Sequence, residues 1–296
     1  MRTAFADCHP AVNFLYFLLV LGFGMFCMHP VFLAVSLACA LLCGRVLRGP
    51  GQLGKLLLRA LPLILLTALI NPLFSHAGAT ILCYLPGGNP LTLESICFGV
   101  AAGFMLAGVL CWFSCWNVVI TSDKFVYLFG KAAPGLSLIL AMALRFVPRF
   151  LEQFKAVSQA QRVLGQNPSR GALRRRLRAA LQQTSILITW SLENAVDTAD
   201  SMKGRGYGLP GRTAFSIYTL TRRDLWLLLW LLAAGAYVTA GAALGAAAWS
   251  FYPVLTGAGW SGYHLSVYLC YAVLCLTPAV LGLWEEFRWR CLQFKI

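Results

Sequence analysis

Residues 145–165 read RFVPRFLEQFKAVSQAQRVLG and residues 191–207 read SLENAVDTADSMKGRGY. Both lie in one cationic insert, Arg145 to Arg212, and the reading of that insert decides the fold. Leu144, Val147, Leu151 and Phe154 recur at spacings of three and four, which puts them on one face of a helix. Further on, Leu181, Ser185, Ile188, Leu192, Ala195, Ala199 and Met202 repeat the pattern, while Glu193, Asp197 and Asp200 share another face. These are amphipathic helices, too charged to lie in hydrocarbon. The apolar runs before and after them have lengths suited to crossing a bilayer, so the insert is expected outside the membrane and the flanks within it.

Composition agrees. Of 296 residues, 59% are hydrophobic and 11% charged, where soluble domains carry roughly 25% charge. The expected class is an all-α, polytopic membrane protein with about six membrane segments and long cytoplasmic amphipathic helices. The net charge of +14 comes from 24 Lys and Arg, none of which falls in 60–120 or 225–284. Such segregation is the positive-inside pattern of a multi-pass protein, and it argues against a nucleic-acid partner. The resulting division is 1–120 for N-terminal membrane segments, 121–224 for cytoplasmic helices and 225–296 for C-terminal membrane segments, with 75–93 and 249–263 outside. The N-terminus, Asp7-Cys8-His9-Pro10 before the first apolar run, lacks the basic flank and cleavage site of a signal peptide.

Residues 12–43 are interrupted by His29-Pro30, which predicts two segments, about 12–28 and 31–43. The second is shorter than the ~20 residues that cross hydrocarbon, so a tilted hairpin is expected there. Gly49, Gly54 and Lys55 match the glycines and lysine of a phosphate-binding loop, but Leu56 stands where Ser or Thr should hold magnesium and no strand pattern precedes it. It is read as a basic loop. The eleven cysteines are read as small packing residues, without metal-ligand spacing. No Asp, Glu, Lys or Arg falls inside a predicted span, and no catalytic constellation is visible; His29 and His264 are read as interfacial, hydrogen-bonded structural residues.

What remains is the insert. Gly165 and Asn167-Pro168 end its first helix, and Gly204, Gly206 and Gly208 end its second beside Lys203 and Arg205, giving a cationic helix tip. Ile188, Leu192, Ala195, Ala199 and Met202 form a seam whose small members, Ala195 and Ala199, let another helix cross closely. Arg174-Arg175-Arg176-Leu177-Arg178 reads as a solvated cluster facing an anionic leaflet.

The stretch Ala199-Asp200-Ser201-Met202-Lys203-Gly204-Arg205-Gly206-Tyr207-Gly208, followed by Gly211-Arg212-Thr213, resembles the second Ala-Arg-Gly region of the transmembrane T component (EcfT, related to CbiQ) of energy-coupling factor transporters. Ala160-Gln161-Arg162-Val163-Leu164-Gly165 is similar to the first such region, and His9-Pro10, Asn71-Pro72 and Arg145-Phe146-Val147-Pro148-Arg149 also look like family features. Two departures stand out. Gly204 replaces an Ala, and Val163-Leu164 replace Ala-Arg, so that Arg162 is the arginine left to serve the first region. The resemblance implies a non-catalytic subunit in a prokaryotic cell membrane that joins two cytosolic ABC ATPase subunits, which hold ATP and Mg, to a membrane S component that binds a vitamin or metal ion. It also implies ATPase docking by Lys203, Gly204, Arg205, Gly206, Arg162 and Gly165, with no metal or cofactor on this chain. Readings from other classes are a stand-alone permease, a membrane enzyme acting on lipid-linked phosphates, and a scaffold.

Overall fold

The computed structural model describes residues 5–49, 51, 53–84, 90–130, 133–165, 173–207, 209, 218–257, 259 and 261–293. In chain order the helices are α1 Pro10–Phe26, α2 Pro30–Arg48, α3 Leu53–Phe74, α4 Leu93–Val119, α5 Ser122–Gly130, α6 Pro134–Val163, α7 Leu173–Gly204, α8 Arg222–Gly241 and α9 Gly262–Gln293. A short π-helical turn, Ala242–Ala246, continues α8. Two small antiparallel hairpins lie between spans: β1 Ile81–Tyr84 with β2 Pro90–Thr92, and β3 Trp249–Ser250 with β4 Thr256–Gly257. The chain forms two compact units, Met1–Thr121 with Tyr218–Ile296, and Ser122–Ile217. The terminal membrane segments, distant in sequence, thus share one unit.

In that unit α2, α4, α8 with its π-turn, and α9 are long and apolar enough to span a bilayer, and α1 and the 60–74 portion of α3 are shorter apolar helices. The two His-Pro pairs are helix starts. His9 and His29 each accept a hydrogen bond at Nδ1 from a backbone N–H two residues on, Ala11 and Val31, while Pro10 and Pro30 take the first helical position, where no N–H is needed. The second segment is longer than the sequence pattern suggested: α2 runs to Arg48 and stops at Gly49, whose φ of 93° is left-handed. Arg48 is kept in the helix because its guanidinium donates to the Ser114 carbonyl of α4. The expectation of a short 31–43 segment in a tilted hairpin is corrected accordingly, since 19 residues span about 28 Å. The phosphate-loop lookalike is the turn from α2 into α3.

Helix α3 lies along α4, α2 packs on α4 and α9, and α8 packs on α9. The closest approach is at Gly99 and Gly103, one helical turn apart on α4. A Cβ on Gly103 would stand 2.8 Å from Ile64 Cα, and one on Gly99 would stand 2.9 Å from the Thr67 carbonyl oxygen. This is the small-residue contact that lets membrane helices touch backbone to backbone, and Asn71 fastens it by donating to the Ser95 carbonyl at 2.7 Å. Deeper in the unit, Tyr16, Phe17, Trp112 and Trp116 meet edge to face. Tyr16 donates to the Cys275 carbonyl at 2.8 Å and Trp112 to Ser36 Oγ at 3.0 Å, so both buried polar tips are satisfied. Seven of the eleven cysteines are buried.

Both expected outer loops lie on one side. The Ala79 N–H donates to the Pro253 carbonyl at 3.0 Å, and Phe98 packs on Phe251 and Tyr252. Glu94, the lone charge near the first loop, is buried and accepts from the N–H and hydroxyl of Thr80. The residues 85–89 of that loop lie outside the described set.

Two exposed thiols report the topology. Cys83 sits on β1 and Cys291 at the end of α9. A membrane-impermeant maleimide applied to intact cells is expected to label the Cys291→Ser variant through Cys83 and to leave the Cys83→Ser variant unlabelled until the membrane is opened; the reverse pattern inverts the assignment. Gly103→Leu is expected to force α3 away from α4, at a cost of about 1–3 kcal/mol or more, read as a lowered melting temperature of the purified chain with its helical content retained.

Candidate functional site

The unit 122–217 is built on α6 and α7. Phe146 stacks on Trp190 with ring centroids 5.7 Å apart, and Gln183 Nε2 donates to the Phe154 carbonyl at 3.4 Å. As α6 rises from 146 to 154, its partners fall from 190 to 183, so the helices run antiparallel. Gln183 is 3% exposed, and Ala179 and Leu187 are buried with it. The stripe used in this contact is therefore Ala179, Gln183, Leu187 and Trp190. Gln161 of α6 is also buried, and its Oε1 has no hydrogen-bond partner among the described residues. Pro148 lies within α6, where it deprives the Leu144 carbonyl of a helical partner.

The seam of Ile188, Leu192, Ala195, Ala199 and Met202 is a different stripe. Leu192 is 63% exposed, Ile188, Ala195 and Ala199 are exposed as well, and Met202 is half-buried. The crossing with α6 does not use it. On α6, Leu144, Val147, Leu151 and Phe154 are likewise exposed. Period-3.6 patterning identifies an apolar face without saying which neighbour covers it, and the buried stripe was missed because Gln183 reads as a surface residue. The nearest sequence signal was the aromatic spacing of Phe146, Phe150 and Phe154 against Trp190.

Both helix tips close on a left-handed glycine. At the end of α7, Tyr207 N–H donates to the Met202 carbonyl at 3.0 Å and Gly206 N–H to the Lys203 carbonyl at 2.9 Å, with Gly206 at φ 75°. This pair of bonds is the Schellman closure, with Gly206 in the one position where a side chain would be strained and Arg205 as the capping residue just before it. Arg205 is exposed at the tip. Lys203 approaches Asp200 at 3.8 Å, both largely exposed, a pair of little energetic weight. At the end of α6, Gly165 at φ 74° donates its N–H to the Arg162 carbonyl at 3.1 Å.

Aligning the two glycines gives the same positions as the sequence pattern and places Arg162 among them. Gly165 stands where Gly206 does, so Leu164 occupies the position of Arg205, Val163 that of Gly204, and Arg162 that of Lys203. Arg162 is exposed but sits on the last turn, behind a tip whose outermost side chains are Val163 and Leu164, 88% and 74% exposed. The residues 166–172, Gly208 and 210–217, which include Asn167-Pro168, Gly211, Arg212 and Thr213, lie outside the described set. The tips also point opposite ways. From the Phe154–Gln183 contact, α6 runs on about 14 Å to its tip and α7 about 31 Å in the other direction.

In the membrane unit, the two histidines are structural groups. His29 Nδ1 accepts from Val31, which places the proton on Nε2, toward Tyr268 Oη at 3.3 Å; that hydroxyl donates in turn to the Ala246 carbonyl at 3.0 Å. Burial, and then the proximity of His264, pushes the His29 imidazole below its ordinary range and keeps it neutral. His264 Nδ1 lies 2.7 Å from the Gly259 carbonyl. Among the described residues no three His, Cys, Asp or Glu side chains come together as metal ligands.

Comparison with known proteins gives consistent matches. The energy-coupling factor transporter transmembrane protein EcfT of Exiguobacterium sibiricum is 36% identical over 101 residues, 34% of this chain and 38% of the relative. EcfT of Lactobacillus helveticus is 33% identical over 103 residues, 34% and 37% of the two chains, and EcfT 1 of Listeria monocytogenes 29% over 170 residues, 52% and 62%. The chain thus matches about two fifths of the first two relatives' length. A family model, CbiQ, cobalt transport protein, matches residues 9–215, a stretch that takes in α1 to α7 and both tips. With more than half of its length covered by that model, this multi-pass membrane chain belongs to the CbiQ family.

Proposed function

We propose that the chain is the coupling subunit of an energy-coupling factor importer, a non-catalytic T component that passes ATP-driven motion to a substrate-binding membrane partner. The observation that carries this reading is the pair of glycine-closed tips at opposite ends of one antiparallel helix pair. Two tips that point apart suit two docking partners, and on this reading each enters a groove of a cytosolic ABC ATPase subunit that holds ATP and Mg. Arg205, set rigidly by the closure at Gly206, supplies several charge-assisted hydrogen bonds to acidic groups or carbonyls of such a groove. The α6 tip offers Val163 and Leu164 first and Arg162 behind them, so its groove is apolar at the floor and acidic at the wall. The uncovered seam from Ile188 to Met202 is then the track of an S component helix, and closure of the ATPases drives the two helices and reorients that subunit. The cargo class is a vitamin or metal ion, chosen by the S component. A stand-alone permease finds less support, since Arg48, Glu94 and Asp224 all sit in the first or last turns of their helices and the middles of the spans carry no charge.

Arg205→Glu is expected to leave insertion and stability of the isolated chain within about 0.5 kcal/mol of wild type. Against the ATPase it removes a buried charged donor, a loss of roughly 2–5 kcal/mol, so co-purification of ATPase and ATP-driven uptake in vesicles should both fail. A coupled Arg205→Glu complex sinks the assignment. Because Arg162 matches Lys203 in position, Arg162→Glu is expected to weaken ATPase retention less than Leu164→Glu does. At the seam, Ala199→Trp is tolerated by the isolated chain, where the position is open, and blocks assembly with the S component at an overpacking cost of ~1–3 kcal/mol; normal uptake by that variant removes the seam from the interface.

A further inference from the structure

The family match ends at residue 215, yet the last two helices carry a built groove that the coupling reading does not use. It has a volume of about 250 Å³ and lies between the start of α8 and the end of α9, lined by Arg223 of α8 and by Leu281, Trp284, Glu285, Arg288 and Trp289 of α9. The α9 residues follow one helical stripe, apolar toward the membrane and charged toward its end. We propose that this groove binds the headgroup of a monoanionic glycerophospholipid of the inner leaflet, of the phosphatidylglycerol type.

Its position comes first. A helix of 32 residues is about 48 Å long and exceeds the ~30 Å hydrocarbon core, so the last turns of α9 emerge at the interface. Arg222, Arg223, Arg288 and Arg290 mark that interface as cytoplasmic, and the exposed Trp226, Trp284, Phe287 and Trp289 supply the aromatic belt found at headgroup depth. The charges come next. Neither Arg223 nor Arg288 has a carboxylate within ion-pair distance among the described residues: Arg288 lies over the Trp284 ring at 5.8 Å, and Arg223 donates to Cys8 Sγ at 3.6 Å and feels the neighbouring Asp224, whose Oδ2 accepts from Thr221, only at longer range, so both guanidiniums keep donors for a ligand. Two guanidiniums and the Glu285 carboxylate leave the groove at +1, the charge that one phosphodiester neutralises. Glu285 repels a free phosphate dianion and accepts from a glycerol hydroxyl, and the net +1 of the lining favours a monoanionic headgroup over a choline one whose net charge is zero. Trp284 and Leu281 then give the first carbons of the acyl chains an apolar wall.

The test is native mass spectrometry of the purified, delipidated chain, given phosphatidylglycerol and phosphatidylcholine in equal amounts. Phosphatidylglycerol adducts are expected to dominate. Arg223→Gln and Arg288→Gln should each weaken them about fivefold, from roughly 1 kcal/mol per arginine at the headgroup, while Arg290→Gln, which is outside the groove, leaves them unchanged. Equal retention of both lipids overturns the proposal, as do arginine variants that bind like wild type while melting at the wild-type temperature. Millimolar inorganic phosphate should fail to displace the lipid from wild type and begin to compete in Glu285→Gln. Displacement from wild type makes this a free-phosphate site and overturns the commitment to lipid.

Discussion

An unpaired charge is not tolerated in hydrocarbon, and that exclusion shapes the rest of the molecule. It empties the middles of the spans, leaves buried polar groups there to be satisfied by neighbours such as the Tyr16 hydroxyl on the Cys275 carbonyl, and pushes nearly all the basic residues to helix ends or into the insert. Under the coupling reading, recognition of water-soluble partners is therefore concentrated in α6 and α7, while the membrane unit relies on shape. The contact of α3 with α4 shows this plainly: it rests on two missing side chains, Gly99 and Gly103, and one amide.

How much of this was legible in sequence depended on whether the signal was local. Helix ends were legible, because Gly165 and Gly206 act on their own turn, and the shared side of the loops around 79 and 253 was legible because neither carries a lysine or arginine. The end of α2 was not, since Arg48 stays helical through a partner sixty-six residues away. The insert gave its two helices and the tip at Arg205, but the buried stripe of α7 runs through Gln183, a residue whose polarity hides its burial. The place of Arg162 also needed coordinates. Counting back from Gly165 already put Leu164 where the arginine is usual; the hydrogen bonds of the closure show that this position is the cap and that Arg162 lies on the last turn behind it.

The unequal tips bear on the proposed assembly. A groove selected for Arg205 would have to bury an uncompensated charge against Val163 and Leu164, and the converse mismatch would strand an arginine on an apolar floor. Under the coupling reading, the chain therefore distinguishes its two docking partners by polarity, at the level of a few side chains.

Pro148 gives α6 uneven stiffness. With one backbone hydrogen bond missing at that point, the helix bends there more easily than anywhere else along its length. The stack of Phe146 on Trp190 clamps the helix to α7 immediately before the soft point, and the Gln183 bond holds it one and a half turns beyond. Under the coupling reading, a push on the α6 tip would thus reach a short arm with a fixed fulcrum, whereas the α7 tip, at the end of a helix that carries no proline, would be the longer and stiffer arm of the pair.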